Sequence, residues 1–290
     1  LYKTGKLVHH ASHAGNPYQN KLLKLLVRLT EEHARQRAWP ELLDVLELYK
    51  EKLTTPNLDK ELLARLDLMH ARTLRFIGDD NSKLEAIELL HKQVDDITLA
   101  SEPEVAFDIV YTWCEILYTG HDKKNIQTLQ DKIQVLLKKN HHQLIEIILE
   151  LYLQLTYTTL QKNAEIAPIL EHLLGQVKTE PEAEQQKFLH SIIMQNHGNR
   201  IWIEESPPRD AENRNERNKQ LWETKVLPIF EEAYHLKEEI DDIQGMAMNL
   251  GSRGGSYLFI LRDYPNAIDC FEKDLDLVKR HGLDTDIPGA

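Results

Sequence analysis

Histidines, cysteines, clustered glycines and paired carboxylates are the residues of this chain with chemistry to offer. His9, His10 and His13 could set two imidazoles on one helix face as metal ligands, and His141-His142 could do the same at a turn. A zinc site takes three or four converging ligands, and neither an HExxH pattern nor a cysteine pair accompanies them, so no metal is expected. The two cysteines, Cys114 and Cys270, stand far apart. That spacing argues against a disulfide framework and fits a reducing cytoplasm. His190 and His197 are seven residues apart, and a catalytic histidine there would need Ser191 or Cys270 brought into reach. The carboxylate pairs Glu146/Glu150, Glu231/Glu232 and Glu238/Glu239 lie at helical or adjacent spacing, the pattern of a solvated helix face rather than of an acid and base opposed across a cleft. No catalytic residue and no enzyme activity are predicted.

Phosphate chemistry fares no better. The chain lacks a GxxxxGK[ST] loop, and the cluster Gly251-Ser252-Arg253-Gly254-Gly255 falls within a helical run between Met246 and Leu261 instead of joining a strand to a helix. Each glycine inside a helix costs about 1 kcal/mol relative to alanine. A second backbone close by, from a neighbouring helix or a bound ligand, is the expected compensation, and no cofactor is predicted.

These residues must be positioned by helices. The chain has 290 residues, 41% of them hydrophobic, enough apolar material for a sizeable core. Its net charge of −12 repels polyanions, and no basic stripe offsets that field, so direct nucleic-acid binding is not expected. Residues 201–290 carry 19 acidic against 11 basic side chains, which favours a basic partner for that third. The most apolar stretch, Leu144 to Leu155, is broken by Glu146 and Glu150, so it is predicted as a packed helix and not a membrane span. The chain opens at Leu1 without a signal or transit pattern and is expected to be a piece of a longer protein. Nothing in the sequence speaks to oligomeric state.

Apolar residues recur at helical spacing almost throughout. Leu22, Leu25, Leu26 and Leu29 begin the pattern; Leu42, Leu43, Leu46 and Tyr49 repeat it; so do Leu62, Leu66, Met69 and Leu74, then Ile87, Leu90 and Val94, then Val105, Ile109, Trp113 and Ile116. No window alternates long enough for a strand. Short breaks at Trp39-Pro40, Thr55-Pro56-Asn57, Gly78 to Asn81, Ser101-Glu102-Pro103, Gly120-His121-Asp122, Asn140-His141-His142, Gln161-Lys162-Asn163 and Thr179-Glu180-Pro181 supply caps and turn residues. The expected fold is all-α, with about six antiparallel helix pairs over 20–54, 58–98, 103–139, 141–177, 182–239 and 243–281, an α-solenoid in one domain from 20 to 290 after a stretch at 1–19 that is the end of a preceding unit or an irregular lead-in. The charged, proline-bearing stretch from Glu204 to Arg217 is expected as an exposed loop or a frayed helix start.

Three segments near the C-terminus narrow this further: Phe230-Glu231-Glu232-Ala233-Tyr234, Ile240 to Ala247, and Asp263-Tyr264-Pro265-Asn266-Ala267-Ile268-Asp269-Cys270-Phe271. They resemble tetratricopeptide repeats of the long, roughly 40-residue variety, found in kinesin light chains, polarity adaptors and the sensor domains of bacterial signalling ATPases and MalT-type regulators. In that reading Ala233 and Ala267 are small where helices cross, Phe230 and Phe271 are large where the next helix is met, and Asp263-Tyr264 closes a turn. The last repeat carries one extra residue before that turn, with Arg262 where a glycine is common. The resemblance implies a right-handed superhelix whose first helices line a concave groove for a peptide, helix or loop.

Helical geometry then proposes the groove residues. Asn249, Arg253 and Ser256 share a face at i, i+4, i+7, as do Asn196 and Arg200; Tyr111, Glu115 and Tyr118 form a comparable stripe, and Arg65, Met69 and Arg72 another. The expected function is recognition of a protein or peptide, as the sensing part of a larger bacterial signalling ATPase or transcription regulator. A stand-alone scaffold for complex assembly is the alternative.

Overall fold

The computed structural model describes residues 16–35, 42–47, 59–77, 79–96, 103–119, 123–139, 142–160, 165–177, 183–208 and 210–281. Every element among them is helical, and no strand occurs among the described residues. Two compact units divide the chain, Leu1–Thr156 and Tyr157–Ala290. His9, His10, His13, His141, Tyr49 and most of the expected turn residues lie outside the described residues.

The first unit holds α1 (Asn16–Arg35), a helical stretch at 42–47, α2 (Lys60–Ile77), α3 (Asp80–Asp96), α4 (Pro103–Thr119), α5 (Lys123–Leu137) and most of α6 (Gln143–Thr159). Helices pack on their neighbours in sequence: α1 on α2, α2 on α3, α3 on α4 and α4 on α5, while α2 also reaches α4. Leu23, Leu26 and Val27 bury the inner face of α1 against Leu42, Val45 and Leu46 and against Leu62, Leu66 and Met69. The periodicity expected there is present but turned about the helix axis, since Leu25 and Leu29 are exposed. From α2 onward most of the expected apolar positions are buried, among them Leu66, Leu74, Leu90, Val94, Ile109 and Trp113, while Ile87 is half-buried. Asp79 starts α3 as a cap, its Oδ1 accepting from the Asn81 and Ser82 amides at 3.0 Å each.

In the second unit come α7 (Ala167–Gln176), α8 (Glu184–Glu205), α9 (Arg214–Leu221), α10 (Leu227–Glu239), α11 (Ile243–Gly255) and α12 (Tyr264–Arg280). A wide π-helical turn, Trp222–Val226, joins α9 to α10, and a second, Ser256–Leu261, extends α11. Here α7 packs on α8, α8 on α10, α10 on α11 and α11 on α12. The core gathers Trp202, Trp222, Val226 and Phe230, with Tyr257 packed against it. Trp222 meets Trp202 and Tyr257 edge-on at 5.6 and 5.5 Å between ring centres.

Helix ends in this unit follow local chemistry. Asp241, at φ 52°, closes α10 while the Asp242 amide donates to the Lys237 carbonyl at 2.9 Å. Asp242 then caps α11 by accepting from the Gly245 amide at 2.9 Å. Asp263 caps α12 in the same manner from Asn266. The π-turn at 256–261 is followed by Arg262, which turns the chain at φ 57°, in the left-handed region that favours glycine. The stretch expected as a loop is irregular over the described residues 206–208 and 210–213, while Glu204 and Glu205 finish α8 and Arg214 begins α9.

Candidate binding faces

In the first unit α4 brings three of the expected groove residues to its neighbours. Glu115, buried, takes both guanidinium nitrogens of Arg75 at 2.6 and 2.8 Å, so α2 and α4 are joined by a bidentate ion pair. Burial alone would lower the proton affinity of Arg75, and the Glu115 carboxylate more than reverses that, leaving its pKa raised. One turn earlier Arg72 lies 3.4 Å from Asp108 and donates to the Thr112 hydroxyl at 3.4 Å. Tyr111 and Tyr118 both pack on Tyr152 of α6, at 6.4 and 5.8 Å between ring centres. Arg65 stands apart, paired along its own helix with Glu61 at 3.3 Å. Arg72, Tyr111, Glu115 and Tyr118 are thus brought together across α2, α4 and α6, with Arg75, Asp108 and Tyr152 as partners that pattern reading did not single out. The two arginines are answered by Glu115, Asp108 and Thr112.

Two matching contacts set the register of the second unit. A Cβ on Gly198 of α8 would stand 2.8 Å from the ring of Phe230 on α10, and one on Gly254 of α11 would stand 2.7 Å from the ring of Phe271 on α12. Phe230 therefore lies over a glycine of α8 and Phe271 over a glycine of α11. With Phe230 and Phe271 in register, 41 residues apart, Val226 corresponds to Ala267, and both are buried. Gly198 and Gly254 differ by 56 residues, the larger step reflecting the longer α8 to α10 connection.

That register sorts the expected groove residues of this unit. Asn249 is fully buried and its amide donates to the Phe230 carbonyl at 3.0 Å; Arg253 lies 3.4 Å from Glu231. Both belong to the seam between α11 and α10, because that sector of α11 is the one α10 covers. Counting from the two glycines, Asn196, Arg200 and Ile203 of α8 correspond to Ser252, Ser256 and Phe259 of the α11 run. Asn196 donates to the Ile192 carbonyl at 3.0 Å and Ser256 to the Ser252 carbonyl at 3.0 Å, bonds within their own helices. Arg200 is half-buried and has no ion pair among the described residues. Ile203 is 62% exposed and Phe259 78% exposed. Pattern reading missed both; their signal was an apolar residue one turn beyond the apolar-face register.

Of the three helical glycines near there, Gly254 is explained by Phe271. Gly255 has nothing within 4 Å of where a Cβ would stand, and Gly251 only the Asp274 carboxylate at 3.7 Å. Met248, on the same face as Gly255, is also exposed. This side of α11 is a strip of bare backbone between Met248 and Phe259.

Burial lowers the pKa of both His190 and His197, the former partly offset by Glu232 and the latter by Glu171, Glu204 and Glu205. Burial raises the Cys114 thiol well above its ordinary value and the Cys270 thiol above it. Ser191 donates to the Phe188 carbonyl at 2.8 Å. Among the described residues no group of three or more histidine, cysteine or carboxylate side chains is placed to hold a metal ion, and no helix is long and apolar enough to cross a membrane. No family model, no curated protein and no solved structure matches this chain.

Proposed function

We propose that this chain is a tetratricopeptide-like solenoid whose first helices bind a protein or peptide segment, as the sensing part of a larger signalling ATPase or transcription regulator. The repeated glycine–phenylalanine contact supports the repeat reading, since one packing solution recurs where a second helix folds back on its first. The observation that carries the binding reading is the pair Ile203 and Phe259. Both are large, apolar and exposed, each one or two residues from the cluster of Trp202, Trp222 and Tyr257. Aromatic and aliphatic anchors beside polar groups are the usual source of affinity at such surfaces. Arg200 and the open backbone at Gly255 add a cation and room for a main chain to approach.

A phage-displayed random peptide library, panned on the purified chain, tests this. Selected peptides bind the parent and lose about tenfold or more in affinity to the Ile203→Ser/Phe259→Ser variant, whose circular dichroism and melting temperature stay the same. Binders indifferent to that variant would place recognition elsewhere.

A further inference from the structure

Two polar groups lie sealed in the second unit without an answering atom. Asn218 of α9 and Trp222, the first residue of the π-turn at 222–226, are each 1% exposed. Neither the Asn218 Oδ1 nor the Trp222 indole Nε1 has a hydrogen-bond partner among the described residues. Their setting is apolar: Trp222 belongs to the core cluster against which Leu221, Tyr257, Ile260 and Leu261 pack, and its ring meets Trp202, Phe230 and Tyr257. A polar group taken out of water into such a setting needs a replacement bond, or the fold loses the hydration it gave up.

The two groups are complementary in kind, since the amide oxygen accepts and the indole N–H donates. They also share a helix face. Trp222 follows Asn218 by four residues, and its backbone amide donates to the Asn218 carbonyl, so the side chains occupy successive turns. Yet they do not bond each other. An anion would suit the indole and repel the oxygen, and a cation the reverse. A neutral molecule that donates to one and accepts from the other, small enough to lie between neighbouring turns, answers both, and water has that chemistry. We propose that Asn218 and Trp222 hold one internal water between them, donating to Asn218 Oδ1 and accepting from the Trp222 indole. The peptide-binding reading is not needed for this.

Water-selective NOE and ROE spectra of the full chain, labelled with nitrogen-15, test the site, with Trp222→Phe assigning the indole resonance by its loss. In the parent that proton shows a water cross-peak of opposite sign in the two spectra, which marks a resident water and not proton exchange. Asn218→Leu removes the cross-peak while the other indole resonances and the helical dichroism stay as they were. Asn218→Ser, which keeps an accepting oxygen, retains it. A parent spectrum without the cross-peak overturns the proposal, as does a cross-peak that survives Asn218→Leu or one lost in Asn218→Ser. An indole contact to the Asn218 amide in place of water overturns it too, because the two side chains would then bond directly. If Asn218→Leu does not fold, the parent and Asn218→Ser spectra decide by the same signs.

Discussion

Arg75 grips both oxygens of Glu115 across the α2–α4 contact, at 2.6 and 2.8 Å, with the carboxylate side chain only 12% exposed. Removing one partner of such a pair leaves the other desolvated and unanswered, which outweighs what the pair itself contributes. Glu115→Ala therefore costs about 2–3 kcal/mol, below the range for fully buried pairs because Arg75 keeps some solvent. Arg75→Met with Glu115→Leu recovers most of that loss. Urea denaturation of the single and double variants reads both numbers; a double variant as unstable as the single would contradict the account.

Glycine substitutions separate filled from open helix faces. At Gly198 a methyl group collides with Phe230, whose ring is buried and has nowhere to go, so alanine there destabilises by about 1–2 kcal/mol despite its better helix propensity. Gly254→Ala costs less, since the partly exposed Phe271 can swing outward. Gly255→Ala meets nothing and stabilises by about 1 kcal/mol. Thermal unfolding of the three variants ranks them in that order.

Acid weakens the second unit through its histidines. His190 and His197 are held neutral by burial, with folded pKa values below the ordinary 6.5, so the unfolded chain binds more protons in the window between the two values. Their contribution to stability is complete above about pH 6.5 and is lost as pH falls through the folded values. His190→Gln with His197→Gln flattens the melting-temperature profile between about pH 7 and 5. A profile unchanged by the double variant would assign the acid sensitivity to other groups.

The thiols are silent in the folded state. Cys114 and Cys270 are both buried and free, and burial holds both as thiols at neutral pH. A disulfide-exchange reagent at neutral pH labels them only after denaturant is added. Rapid native labelling of Cys270 would mean that α12 opens from α11.

Much of the fold was legible in the residue order because its causes are local. The 3.6-residue recurrence of Leu, Ile and Val placed the helices from α2 onward, and Asp242 and Asp263 stand at their ends because a short carboxylate reaches the free amides of a first turn. The extra residue before Asp263, and the glycine-like place of Arg262, were visible as a miscount; at that place the structure has a π-turn and a left-handed residue.

Partner choice was not legible. Glu204, in a stretch expected as loop, instead accepts from the amides of Ile166 and Ala167 at 2.8 and 3.3 Å and so caps α7 from 38 and 37 residues away. Asn249 and Arg253 share a polar face as expected, yet α10 covers it, and the open sector belongs to Met248, Gly255 and Phe259. A helical period specifies which residues lie on one side of an axis. Which side a neighbour covers depends on where that neighbour's own bulk falls, as Phe230 over Gly198 shows, and only packed helices decide that.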